Sequence, residues 1–220
     1  MIEVIGIILK DNIKFKVLLV WSFRVLLIGA IIVDIIILNW LSLFIAVLAL
    51  ITTFIPNLLS DNKILYIPSD IQVIIIIFIF ASLYLGELRN FYYRFWWWDN
   101  MLHAFSGTIL GFIGFSLIYF LNREEEIDIV LSPIFVALFA FNFAVSIGVI
   151  WEIFEFTMDS LFALNMQKTG LIDTMWDLIA DCIGSGIASY YGYMYLKKGQ
   201  PSYFEDSLKK VLAENDQFFE

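Results

Sequence analysis

Cysteine and histidine are almost absent from these 220 residues: Cys182 and His103 are the only ones. A lone cysteine excludes an intramolecular disulfide framework and a thiolate-rich metal site. A lone histidine excludes a zinc centre built on several histidines, and a ferritin-like di-iron site with its two Glu-x-x-His pairs. Charged residues are also scarce, at 16% of the chain, too few to cover a water-soluble surface. Positive charge is scarcer still. With 13 Lys and Arg against 22 Asp and Glu, the net charge of −9 argues against a nucleic-acid partner, whose phosphates need a basic face. No P-loop, dinucleotide-binding glycine pattern or nucleophile elbow occurs. A cleavable signal peptide is not expected either, because Glu3 stands where a basic n-region would begin.

What the chain has in excess is apolar surface. Apolar residues fill 61% of positions and the mean hydropathy is +0.85, well above the usage of soluble domains. Crossing a bilayer takes about 20 apolar residues in a helix. Six segments qualify, at about 17–38, 40–59, 68–85, 100–121, 133–158 and 171–196. The expected fold is therefore an all-α polytopic integral membrane protein, about six spanning helices in one bundle, with the lipid bilayer as its main partner. Pro68 and Pro133 suit the first turn of a helix, and Ser132 is a good N-cap. The break at Asn39 carries the weakest sequence signal. Residues 1–16 read as an interfacial or cytoplasmic lead-in. Residues 197–220, with Phe204, Leu208 and Leu212 spaced among charges, read as an amphipathic cytoplasmic tail.

Lys and Arg in the flanks set the expected orientation. Lys10, Lys14, Lys16, Lys63, Arg123, Lys197, Lys198, Lys209 and Lys210 share one side, against Arg89, Arg94 and Lys168 on the other. That places both termini in the cytoplasm. Trp40 and Trp96 to Trp98 then mark the outer boundary, and Tyr190, Tyr191, Tyr193 and Tyr195 the inner one. Arg24 is left inside the first span, from which its long side chain is expected to snorkel inward.

In this frame the acidic residues form stripes. Asp99 and His103 lie four apart on the fourth span, and Glu152, Glu155 and Asp159 repeat at three and four on the fifth. Asp173, Asp177 and Asp181 repeat at four on the sixth, and residues so spaced share one side of a helix. All three stripes fall in the outer half, where Asp34 and Glu87 also end their spans. Asp99 and Asp173 at helix starts suit the macrodipole and need no function. Glu152 lies roughly 9 Å and Asp181 roughly 13 Å from its helix end. A charge that deep costs about 2.5–3.5 kcal/mol on the most lenient scale. Such carboxylates should face a polar cavity, a cation or one another. His103, Glu152, Glu155 and Asp177 are the candidate catalytic groups. Asp99, His103, Glu152, Glu155, Asp173, Asp177 and Asp181 are the candidate oxygen-rich ligand set for Mg²⁺, Mn²⁺ or Ca²⁺. A metal-free acid–base pair of His103 with a buried carboxylate is equally allowed. Gly107 and Gly111, and Gly184 and Gly186, point to close helix packing.

The stretch Asp99-Asn-Met-Leu-His103-Ala-Phe-Ser-Gly107, followed by Glu152-Ile-Phe-Glu155 and by Asp173-Thr-Met-Trp-Asp177 with Gly184 beyond, resembles YjdF-like bacterial inner-membrane proteins. That family has no assigned function and is distantly similar to VanZ-like proteins. The resemblance covers roughly residues 84–196 and implies a prokaryotic plasma or inner membrane. Asp181 departs from the family pattern, so His103, Glu152, Glu155 and Asp177 carry more of the resemblance. The association of VanZ-like proteins with glycopeptide resistance points toward envelope lipids or cell-wall precursors.

Two functions are compatible with these residues. The first is a membrane-embedded hydrolase or transferase acting on a lipid-linked or envelope substrate, with His103 as acid or base and the carboxylates holding a divalent cation. The second is a proton- or cation-coupled transporter using Glu152, Asp177 and Asp181, although the paired repeats common in carriers are missing. A purely structural membrane subunit would account for the glycines alone.

Overall fold

The computed structural model describes residues 2–62, 67–121 and 131–198. Every regular element among them is a helix: α1 (Ile2–Ile37), α2 (Trp40–Thr52), α3 (Ile55–Asp61), α4 (Ser69–Ile79) with a π-helical continuation (Phe80–Leu88), the short α5 (Phe91–Arg94), α6 (Trp98–Leu121), α7 (Pro133–Phe162) and α8 (Leu171–Lys198). Among the described residues, five stretches are long and apolar enough to cross a membrane: Lys14–Ile37, Trp40–Asp61, Ser69–Leu88, Trp98–Tyr119 and Pro133–Phe162. The protein is therefore an all-α, multi-pass membrane protein. The sixth expected span is present as the continuous helix α8. It is not among the five, because the acids of its first turns and the glycines, serines and tyrosines that follow make it less apolar than the other long helices. Among the described residues the packing has two compact units, the first running to Trp96 and the second beginning at Trp97.

The first unit packs α1 to α5. The lead-in expected at 1–16 is continuous with the first span in one 36-residue helix. The turn at Asn39 is well built. Leu38 adopts the left-handed conformation (φ 58) after α1, Asn39 Oδ1 accepts from the Ser42 N–H at 3.3 Å, and the Ser42 hydroxyl donates to Asp34 at 2.8 Å. The second span is interrupted at Thr53 and Phe54 because Pro56, in the first turn of α3, starts a new helix there. The third shifts to π geometry, with the Arg89 N–H donating to Tyr84 O at 3.0 Å. Leu27, Ala49, Phe80 and Tyr84 form the core, with the Phe23 and Phe80 rings stacked at 4.2 Å.

Arg24 reaches toward the end of the first unit where α3 closes and α4 begins. Its side chain stays inside the unit, 6% exposed, with Nε donating to Thr53 Oγ1 at 3.2 Å. Its Nη2 donates to Thr53 O at 2.9 Å and to Asn57 Oδ1 at 3.1 Å. Asn57 in turn donates to Gln72 Oε1 at 3.2 Å, and the Phe54 ring lies 3.9 Å from the guanidinium carbon. The break between α2 and α3 exposes the Thr53 carbonyl that makes this possible.

The second unit is a three-helix arrangement of α6, α7 and α8, in which α8 packs against both others. Ser132 caps α7 as expected, accepting from the Phe135 N–H at 3.3 Å. Glycine permits the approach of α6 to α8. A Cβ on Gly107 would stand 2.7 Å from the Asp181 carbonyl oxygen, and one on Gly184 would overlap the Ala104 carbonyl. The Thr108 hydroxyl donates across the seam to Gly184 O at 3.2 Å. This seam carries small residues on α8 (Ala180, Ser185, Ala188 and Ser189, all buried) and leaves the large apolar side chains facing outward. The amphipathic tail expected beyond Lys198, and the acidic loop Glu124 to Glu126 with Asp128, lie outside the described residues.

Candidate functional site

One turn into α6, His103 is buried at 8% exposure and stands at the centre of a carboxylate shell drawn from all three helices. Its Nδ1 lies 3.2 Å from Asp181 Oδ2 on α8. Its Nε2 lies 3.8 Å from Glu152 Oε1 on α7 and 4.0 Å from Asp99 Oδ1 on its own helix. The first separation is a hydrogen bond; the other two are too long to be. They match the spacing of two ligands on one cation, about 3–4.5 Å for bonds of about 2.0–2.4 Å. Asp99, His103 and Asp177 each offer a ligand atom, all within 4.8 Å of one another.

The buried acids differ in how they are satisfied. Asp177, 2% exposed, accepts from Asn100 Nδ2 at 3.2 Å. Asp99 pairs with the Lys168 ammonium. Glu152 is 3% exposed, yet neither of its carboxylate oxygens has a hydrogen-bond partner among the described residues. Gln167 and Thr174 lie alongside it, bonded to each other at 2.6 Å. The amide of Gln167 donates in that bond, which leaves the Thr174 hydroxyl proton to point toward Glu152.

The loop between α7 and α8 is built by the remaining acids. Asp159 accepts the backbone N–H groups of Met166 and Gln167 at 2.6 and 2.8 Å, and Asp173 accepts that of Lys168 at 3.1 Å. These contacts deliver Lys168 onto Asp99. Of the seven residues expected to hold a cation, the structure thus gathers Asp99, Asp177, Glu152 and Asp181 around the imidazole of the fifth, His103. Asp173 serves the loop, and Glu155 accepts from Trp151 Nε1 at 3.1 Å one turn beyond Glu152.

Asn100, Lys168, Gln167 and Thr174 join the site without being candidate site residues from the sequence. Asn100 had a usable signal, lying three residues before His103 on the same helix side. Lys168 had none, because its reach depends on the loop.

Formal charge decides what the cluster needs. Asp99, Glu152, Asp177 and Asp181 carry four negative charges against Lys168 and at most one on His103, which leaves at least two uncompensated. Uncompensated charge at this burial is costly, so protons or a cation must complete the group.

Comparison with known proteins agrees on class and is silent on activity. An uncharacterized protein from Thermotoga maritima is 30% identical over 118 residues, covering 54% of this chain. The matched stretch spans 59% of that relative's length. No solved structure matches. The profile of a family described as "Predicted membrane protein (DUF2238)" matches residues 16–198, a range holding every residue of the site and consistent with the YjdF-like resemblance. The chain belongs to this DUF2238 family of predicted membrane proteins.

Proposed function

We propose that this protein is a membrane-embedded, divalent-cation-dependent hydrolase or transferase acting on a lipid-linked or envelope substrate. Asp99, Asp177 and the Nε2 of His103 hold one Mg²⁺, Mn²⁺ or Ca²⁺ ion, and Glu152 stands beside it as the proton acceptor. A bound cation of this kind polarises a substrate oxygen and makes a bound water more acidic. Glu152 is suited to receive that water's proton, because its carboxylate is buried and stands beside the imidazole Nε2. The unpartnered, buried Glu152 carboxylate beside Nε2 is the observation that carries this reading.

The excess of Lys and Arg near the chain termini supports cytoplasmic ends and a site in the outer half of a prokaryotic plasma membrane. Substrate would then reach the site from the outer leaflet.

Elemental analysis of detergent-purified protein, beside Asp177→Ala and His103→Ala variants, tests the cation. A stoichiometric divalent metal lost in both variants, with hydrolysis of phosphate-bearing lipids lost in parallel, is the expected result. Absence of metal, together with no thermal stabilisation by Mg²⁺, Mn²⁺ or Ca²⁺, overturns it. Bound metal without turnover, but with proteoliposome cation flux that collapses in Asp177→Asn, would reassign the same site to a carrier.

A further inference from the structure

Asp181 belongs to the acidic stripe of α8, but its surroundings differ from those of Asp99 and Asp177. It is not one of the three residues whose ligand atoms converge within 4.8 Å. It is 1% exposed and fixed from three directions. Its backbone lies against Gly107 of α6, where a Cβ would stand 3.1 Å from the Asp181 Cα, and its carbonyl accepts from the Ser185 hydroxyl at 2.6 Å. Its carboxylate fills the space where Gly148 of α7 lacks a side chain. A Cβ on Gly148 would overlap Oδ2, the same oxygen that meets His103 Nδ1. Gly148 precedes Glu152 by four residues, so one side of α7 supplies both the seat and the unpaired acid.

We propose that Asp181, seated on Gly148, is a positioning residue that holds the proton of His103 on Nδ1 and thereby presents a bare Nε2 to Asp99, Glu152 and Asp177. The inference rests on the cation reading for its purpose and on the packing of three helices for its geometry. A carboxylate bonded to the far nitrogen of a ligating imidazole fixes ring orientation and tautomer and raises ligand basicity. Asp181 cannot do this with a residue larger than glycine at position 148. It also explains a buried carboxylate that the cation itself does not require.

Because His103 is the only histidine, ¹⁵N-histidine labelling yields a single pair of ring-nitrogen signals. NMR of the full-length protein in lipid nanodiscs therefore reads this hydrogen bond directly. The native spectrum should show a protonated, strongly hydrogen-bonded Nδ1. Asp181→Asn and Gly148→Ala should each shift that signal, the second without removing any polar group. Gly186→Ala is the control, since nothing lies within 4 Å of a Cβ there. Mn²⁺ affinity should fall about 10–100-fold in both site variants and stay unchanged in the control. A native proton on Nε2 alone, or a native-like Nδ1 signal in Asp181→Asn, overturns the inference, and the latter result does not depend on whether Gly148→Ala folds. Should the native protein bind no divalent cation while Nδ1 remains tied to Asp181, the enzymatic proposal fails and the positioning role stands.

Discussion

The two units each bury formal charge among membrane-spanning helices, and they treat it in opposite ways. In the first, Arg24 finds three oxygen acceptors and an aromatic face, and the chain of bonds continues through Asn57 to Gln72. Its hydrogen-bonding edge is largely occupied by neutral groups that belong to the fold. In the second, several carboxylates crowd one imidazole, and neither oxygen of Glu152 is within hydrogen-bond distance of a donor among the described residues. A satisfied buried charge acts as a joint between helices, whereas an unsatisfied one still needs a proton, a water or an ion to complete it. Charge in a membrane is therefore weak evidence of function until its partners are counted.

Three substitutions test this contrast, from the largest effect to the smallest. Arg24→Leu should destabilise the protein by about 1–3 kcal/mol, because Thr53 O and Asn57 lose their donor. Cation affinity should be unchanged, and thermal unfolding alongside Mn²⁺ titration would show both. If affinity fell with stability, the distinction between joint and site would break. Glu152→Gln should act in the opposite sense, raising metal-free stability by about 1 kcal/mol as uncompensated charge is removed, while cation affinity drops. A metal-free melting temperature lower than native would mean that Glu152 is structurally paired after all. Lys168→Met should give the smallest change, a several-fold tightening of cation binding, since the ammonium competes for Asp99. Weaker binding in this variant would make Lys168 a support of the site rather than a competitor.

Much of the candidate site was readable because helix periodicity alone puts residues three and four apart on one side. Asp99 with His103, Glu152 with Glu155, and Asp177 with Asp181 could be grouped without any knowledge of packing. Which of them would touch could not. Asp173 has the same spacing as Asp177 and Asp181, yet it serves a loop through the Lys168 backbone. Glu155 shares the stripe of Glu152, yet it bonds to Trp151. The helix rotations that separate these outcomes come from contacts between residues far apart in the chain.

The same division holds for the fold. Long apolar runs require helices that cross a bilayer, since a helix satisfies its own backbone there, so the sequence by itself determined the class and, within a few residues, most ends of the long helices. It also placed the α7 cap at Ser132, because a cap is a local bond. Tertiary structure decided the rest: the uptake of Arg24 at the α2 break, the π-helical turn over Tyr84, and the approach of α6, α7 and α8 at Gly107, Gly148 and Gly184. These depend on shape and on donor–acceptor matching between helices, and a one-dimensional pattern of apolar and charged residues carries neither.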